Sequence, residues 1–227
     1  MLSGNLSKPM TKPYQLLIFD WDGTLADSTA QIVDGVQSAF REHGLSEPAD
    51  EDVRQIIGLS LSEAVVRLHP GLPPRQTEAV IQAYRHHYFH HRPPTVLFAQ
   101  AAAALPRLQQ HYWLAVATGK SRRGLDLALQ ETNSAGYFLS TRTVDECAAK
   151  PQPEMVLSIC NELGVAPADA LVIGDTTHDL NMAYNARCHA VSVTTGAHAA
   201  AQLQTVPHQA MLGGIQDLLH WLNLPKG

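Results

Sequence analysis

The chain predicts an α/β fold: a doubly wound parallel sheet with an inserted α-helical unit. Two observations carry that expectation. Short runs that are apolar on both faces alternate with helical stretches, the pattern of central strands in a parallel sheet crossed by helices. One long segment after the first run contains helices and no convincing strand.

In chain order, the first strand is read at Gln15-Leu16-Leu17-Ile18-Phe19. From about Asp27 to Thr95 the sequence reads as four helices, Gln31 to Arg41, Asp50 to Ile57, Ser62 to Leu68 and Gln76 to Phe89. Pro48, Pro70, Pro73-Pro74 and Pro93-Pro94 punctuate them. Phe40, Leu68 and Tyr84 are expected in the core of this helical unit, which is expected to sit over the carboxyl edge of the sheet, with Trp21 packed under it. Further strands are read at Trp113-Leu114-Ala115-Val116-Ala117, Ala170-Leu171-Val172-Ile173 and His189-Ala190-Val191-Ser192-Val193. Weaker ones are placed at Tyr137 to Leu139 and Gln209 to Leu212. Helices are expected at Gly124 to Glu131, at Pro153 to Leu163 with Gly164 as the stop, and at Ile215 to Leu222. The expected division is residues 14–26 and 96–227 as core, 27–95 as the helical unit, and 1–13 as a loose tail in which Met10 is an alternative start.

Composition bounds the function. Hydrophobic residues make up 45% of the 227 and charged residues 16%, enough for an ordinary buried core. A net charge of -5 lacks the basic excess of a nucleic-acid binder. No apolar run approaches the roughly 20 residues needed to span a bilayer. The start lacks a signal-peptide core. Cys147, Cys160 and Cys188 cannot all pair and form no CxxC, which points to free thiols in a reducing, cytoplasmic setting.

Four short motifs stand at successive strand ends. Asp20-Trp21-Asp22-Gly23-Thr24 follows the first strand. Two carboxylates at that spacing project where α/β sheets bind ligands, one able to attack phosphorus and the other to handle protons. The alternative is a turn with two solvated aspartates. Thr118-Gly119-Lys120 ends the second strand, where a hydroxyl can donate to a phosphoryl oxygen or be structural. Gly119-Lys120-Ser121 is not a nucleotide P-loop, because Leu114 stands where that loop needs glycine. Lys150 lies beside Pro151 and Pro153, an ammonium held at a helix start or a solvated loop lysine. Asp175 and Asp179, in Gly174-Asp175-Thr176-Thr177-His178-Asp179, offer hard oxygen ligands suited to Mg²⁺, or else a helix cap with a first-turn acid.

In this order the four motifs resemble those of the haloacid-dehalogenase-superfamily phosphatases, and the resemblance runs from Tyr14 onward, with the helical unit at that family's first cap position. It implies a Rossmann-like core and an aspartyl-phosphate mechanism. Asp20 is implied as nucleophile. Asp22 is implied as general acid and then base. Thr118, Gly119 and Lys150 are implied to bind the substrate phosphate. Asp20, Asp175 and the backbone carbonyl of Asp22 are implied as Mg²⁺ ligands. Asp179 is implied as the supporting acid, through water or by orienting Lys150. A small-molecule phosphate ester is the implied partner, with neither nucleic acid nor membrane, for a monomer or a homodimer.

Within the family, dehalogenases lack the Asp22 equivalent. Phosphonate-cleaving relatives use a cap lysine, and Asp27 to Thr95 contains none. Sugar phosphomutases commonly carry valine at the position of Thr24, so hydrolysis is expected, with a phosphomutase as the alternative. A phospho-accepting signalling module is a further alternative; receiver domains of that kind are shorter and lack the insert. Val53 to Leu61 resembles the substrate loop of phosphoglycolate-phosphatase-like members. Gly58 would let it approach the substrate. Arg54 would meet a substrate anion, or be a solvated helix residue. His178 lies inside the metal loop. His86-His87 and His90-His91 have a spacing that metal sites use, but no cysteine or acidic cluster accompanies them nearby in sequence, and they read as a wet helix face.

Overall fold

The computed structural model describes residues 14–224. The expected tail, residues 1–13, and the alternative start at Met10 lie outside them.

Six parallel strands form one sheet: β1 (Leu16–Phe19), β2 (Trp113–Ala117), β3 (Ser140–Arg142), β4 (Ala170–Gly174), β5 (His189–Val193) and β6 (Met211–Leu212). Their spatial order is β3-β2-β1-β4-β5-β6. Because β1 lies between β2 and β4, the chain winds outward in both directions from β1. This opens a crevice at the carboxyl ends of β1 and β4, where open α/β sheets bind ligands.

Period-2 alternation explains why the strands are apolar throughout. Leu17, Phe19, Leu114, Val116, Leu171 and Ile173 face one layer, under α5 (Ala99–Gln109), α6 (Arg122–Glu131) and α10 (Ile215–Trp221). Leu16, Ile18, Ala115, Ala117, Ala170 and Val172 face the other, under α7 (Glu154–Leu163), α8 (Thr177–Asn185) and the short α9 (Ala200–Leu203). Gly164 closes α7 in the left-handed conformation, the stop expected from sequence.

Between β1 and β2 run α1 (Thr29–Glu42), α2 (Asp50–Ile56), α3 (Leu61–Leu68) and α4 (Pro74–His90). They enclose their own apolar cluster, with Phe40 buried at its centre and Leu68 and Tyr84 packed against it. The chain leaves and re-enters the sheet side by side: the Asp27 N–H donates to Val96 O at 3.0 Å, and the Phe98 N–H to Leu25 O at 2.9 Å.

Three expectations are corrected. The strand placed at Tyr137 to Leu139 forms at Ser140–Arg142, because Ala135–Tyr137 winds into a 3-10 turn first. The last strand is only Met211–Leu212, paired to the end of β5. Trp21 does not pack under the helical insert. It is buried among Tyr14, Phe19 and Leu25 in the sheet's own core, edge-on to Phe138. Side chains two apart in DxD share a face, so sending both aspartates to the crevice sends the indole inward.

Candidate active site

The strand ends converge as the motif order requires. Asp20 continues β1, and its N–H donates to Ile173 O of β4 at 2.9 Å. That bond sets it beside Asp175, the first residue after β4. Lys150 Nζ lies 2.5 Å from Asp20 Oδ1 and 2.6 Å from Asp179 Oδ1, and its side chain is fully buried. Asp179 is the third residue of α8. Its Oδ2 accepts from the Thr176 N–H at 3.1 Å and from the Thr176 hydroxyl at 2.6 Å, so a helix cap fixes the acid that orients Lys150. Asp175 is held at both oxygens. The Thr24 hydroxyl donates to Oδ1 at 2.6 Å and the Ala197 N–H to Oδ2 at 2.7 Å. Asp20 Oδ2 is buried and accepts no hydrogen bond.

The electrostatics follow from this crowding. Burial raises Asp20 well above the usual carboxylate range; Lys150 pulls it back, and Asp179 and Asp175 add to the rise. Burial and then Asp179 push Asp175 up to about 7, against the hydrogen bonds from Thr24 and Ala197. Burial alone would lower the Lys150 ammonium, but Asp179 and Asp20 more than offset it and hold it above the usual lysine range. Four buried carboxylates, Asp20, Asp22, Asp175 and Asp179, face two ammonium groups, Lys120 and Lys150. With all six ionised, carboxylates outnumber ammonium groups by two among the described residues of the crevice, which is why burial and mutual repulsion raise Asp20 and Asp175.

A divalent cation fits that excess of carboxylates. Carboxylate oxygens of Asp20, Asp175 and Asp179 lie within 4.8 Å of one another, all buried. The unpartnered Asp20 Oδ2 is a hard oxygen of the kind Mg²⁺ takes. Asp179 joins this geometric cluster, although its two oxygens are already engaged with Thr176 and Lys150.

Asp22 faces the other way, toward the helical insert. Its Oδ1 accepts from the Ser28 hydroxyl at 2.6 Å and pairs with Lys120 Nζ at 2.9 Å. Lys120 lies over the Tyr88 ring, 4.7 Å from its centroid. Burial opposes its charge, but Asp22 and the neighbouring tyrosines Tyr88 and Tyr84 hold it above the ordinary range. Lys120, Asp22, Tyr84, Tyr88 and the apolar Phe40 and Leu59 line a cavity of about 80 Å³ between insert and sheet. Gly58 and Gly119 line it too; Arg54 does not.

The two glycines make the insert's contact with the core. Gly58 has φ +95°, which favours glycine, and its carbonyl sits where a Cβ on Gly119 would have to be. Thr118 is buried at the end of β2, its hydroxyl accepting from the Lys120 N–H at 3.3 Å. His178 holds the insert from below: its Nε2 lies 3.0 Å from Gln55 O, and burial lowers its pKa.

Asp20, Lys150, Asp175 and Asp179 are thus brought together, while Asp22, Gly58 and Gly119 meet across the cavity. Two residues of the site were not identified from sequence. Lys120 was named at the end of the second strand and in a rejected P-loop match but given no role, and Ser28 sits in the connection that starts the insert. The signal available for Lys120 was its place directly after Thr118-Gly119, at a strand end shared with the other motifs.

Replacing Lys150 with Met would leave buried carboxylates facing each other without a cation. It should cost about 3–5 kcal/mol of stability in urea unfolding with chelator present, and Mg²⁺ should recover part of that loss. Unchanged stability would contradict the charge assignment.

Comparison with known proteins agrees with this geometry. The family model described as haloacid dehalogenase-like hydrolase matches residues 17–193. A curated relative from Dickeya dadantii, named "Probable phosphatase IndB", is 33% identical over 210 residues, 90% of this chain and 91% of the relative. "Phosphoglycolate phosphatase 1" of Pseudomonas aeruginosa is 26% identical over 92% of this chain and 80% of its own. "Pyrophosphatase PpaX" of Bacillus velezensis is 27% identical over 90% and 94%. The chain belongs to the haloacid dehalogenase-like hydrolase family and is one of its phosphatases.

Proposed function

We propose that the protein hydrolyses small-molecule phosphate monoesters, phosphoglycolate-like or sugar phosphates, with Mg²⁺ and through an aspartyl-phosphate on Asp20. The observation that carries this reading is Asp20 itself. One oxygen is fixed by Lys150 and the other is unpartnered, in a cluster where buried acids outnumber that one ammonium.

In this reading Asp20 attacks phosphorus through one carboxylate oxygen and would offer the other to Mg²⁺, while Lys150 and Thr118 hold phosphoryl oxygens. Asp22 donates a proton to the leaving oxygen and then takes one from the water that cleaves the phospho-Asp20. Asp20, Asp175 and the Asp22 carbonyl would hold Mg²⁺, which when bound offsets the repulsion between carboxylate and phosphate. Asp179 keeps Lys150 in place.

Asp20 is only 2% exposed and the insert meets the core where Gly58 and Leu59 approach Gly119, so in this reading substrate enters as that contact opens. The paired backbone at Asp27 and Val96 is the natural hinge for residues 27–95 to move as a cap on the core. Reclosure excludes water from the reacting groups.

Lys120 supports a narrower substrate class. Its ammonium opens on the cavity beside Asp22, and a second anionic group on the substrate would meet it there. The names of two relatives describe compounds of that kind: phosphoglycolate carries a carboxylate and pyrophosphate a second phosphoryl group. A phosphomutase would need to retain a bisphosphate at this cavity. The Thr24 hydroxyl, bonded to Asp175, leaves the position that resembles a mutase valine in a supporting role for hydrolysis. The three cysteines are free, and no described helix is long and apolar enough to cross a membrane, which accords with a cytoplasmic setting.

Phosphate release should be measured with phosphoglycolate, sugar phosphates, nucleoside monophosphates and pyrophosphate. Wild type with Mg²⁺ should turn over at least one of them, and chelator or Asp20→Asn should abolish release from a folded protein. Normal turnover by Asp20→Asn would remove the nucleophile assignment. Lys120→Met should raise KM for esters with a second anion roughly tenfold or more, about the worth of one charge-assisted hydrogen bond, and change esters with neutral tails less. Equal effects on both kinds of ester would contradict its role.

A further inference from the structure

The histidines that end α4 acquire a neighbour that the sequence hides. His86, His87 and His90 occupy the last turns of the helix, and His91 follows as its C-cap. From α1, Glu42 reaches across, its Oε2 3.3 Å from His87 Nε2. An acidic group therefore does accompany these histidines, 44 positions or more away in sequence and adjacent in space.

Two of the rings already bring ligating nitrogens together: His86 Nε2 and His91 Nε2 are hydrogen-bonded, 3.2 Å apart. Two imidazole nitrogens on one tetrahedral zinc-type ion, each at about 2.0–2.1 Å, lie about 3.3 Å from each other. The His86 ring centroid is 4.9 Å from that of His90 and 5.0 Å from that of His91. Two rings on the same ion place their centroids about 5 Å apart, since each ring extends beyond its ligating nitrogen. His90 and His91 are farther from each other, at 6.5 Å, so His90 must turn inward; exposed side chains change rotamer within nanoseconds.

Two further features favour a cation here. The last carbonyls of a helix carry partial negative charge, and α4 is 17 residues long. The His87–Glu42 pair adds a carboxylate beside the rings. Imidazoles suit borderline transition metals, whereas the all-oxygen crevice around Asp20 suits Mg²⁺.

We propose that His86, His90 and His91 form a surface site for a divalent transition-metal ion of the zinc type, with the His87–Glu42 pair as its outer support. The site lies outside the carboxylate crevice and does not depend on what Asp20 does.

The test is Zn²⁺ uptake by untagged protein, in competition with a chromophoric chelator and with Mg²⁺ in excess to occupy the crevice. Wild type should bind one equivalent outside the crevice. Asp175→Asn should keep that equivalent, and His86→Ala/His91→Ala, with unchanged circular dichroism, should lose it. Glu42→Gln should weaken it roughly tenfold, as loss of an outer carboxylate does. No uptake by wild type, or uptake that survives the double histidine substitution, overturns the proposal.

Discussion

The carboxyl edge of this sheet concentrates negative charge where water cannot reach it. Asp20, Asp175 and Asp179 are each at most 2% exposed, and one buried ammonium, Lys150, stands between two of them. Charge in such a place is costly unless it is paired and hydrogen-bonded. Much of the local structure serves that need. Thr24 and Ala197 hold Asp175, Thr176 caps α8 through Asp179, and the burial of Lys150 rests on its two acids. What these contacts leave over is one unpartnered oxygen on Asp20 and an excess of buried acids, which a divalent ion would offset.

The parallel sheet makes this arrangement possible. With β1 between β2 and β4, strand ends distant in sequence arrive at one crevice at the carboxyl edge of the sheet. The helical insert then covers the edge. Its contact is made backbone to backbone, the Gly58 carbonyl against Gly119, so that no side chain stands between insert and core at that point. Lys120 and Ser28 hold Asp22, whereas Lys150 holds Asp20. Two aspartates two residues apart thus have separate environments, one enclosed among acids and the other beside a small cavity, as their separate roles in the proposed chemistry require.

Much of this was legible in the sequence because it rests on local pattern. Strands apolar on both faces announce a parallel sheet, and acids at successive strand ends announce a shared edge. The helices of the insert were legible from periodicity and from the prolines between them. What was not legible depends on contacts between distant segments. Trp21 turned into the sheet core because its aspartate neighbours took the other face. Lys120 gained its meaning only from Asp22 and Tyr88, which lie far from it in the chain. Glu42 joined the α4 histidines through the packing of α1 on α4. The short strand β3 slipped a few residues because a 3-10 turn preceded it, a boundary that propensity alone does not place.

The central claim is that phosphate passes through Asp20. The most direct measurement is to quench turnover with acid, digest the protein and locate any bound phosphoryl group by mass spectrometry, using Asp22→Asn to slow breakdown of the intermediate. The account predicts a phosphoryl group on the peptide that carries Asp20, and none in Asp20→Asn. A phosphoryl group on another residue, or none at all while the wild type turns over, would contradict it.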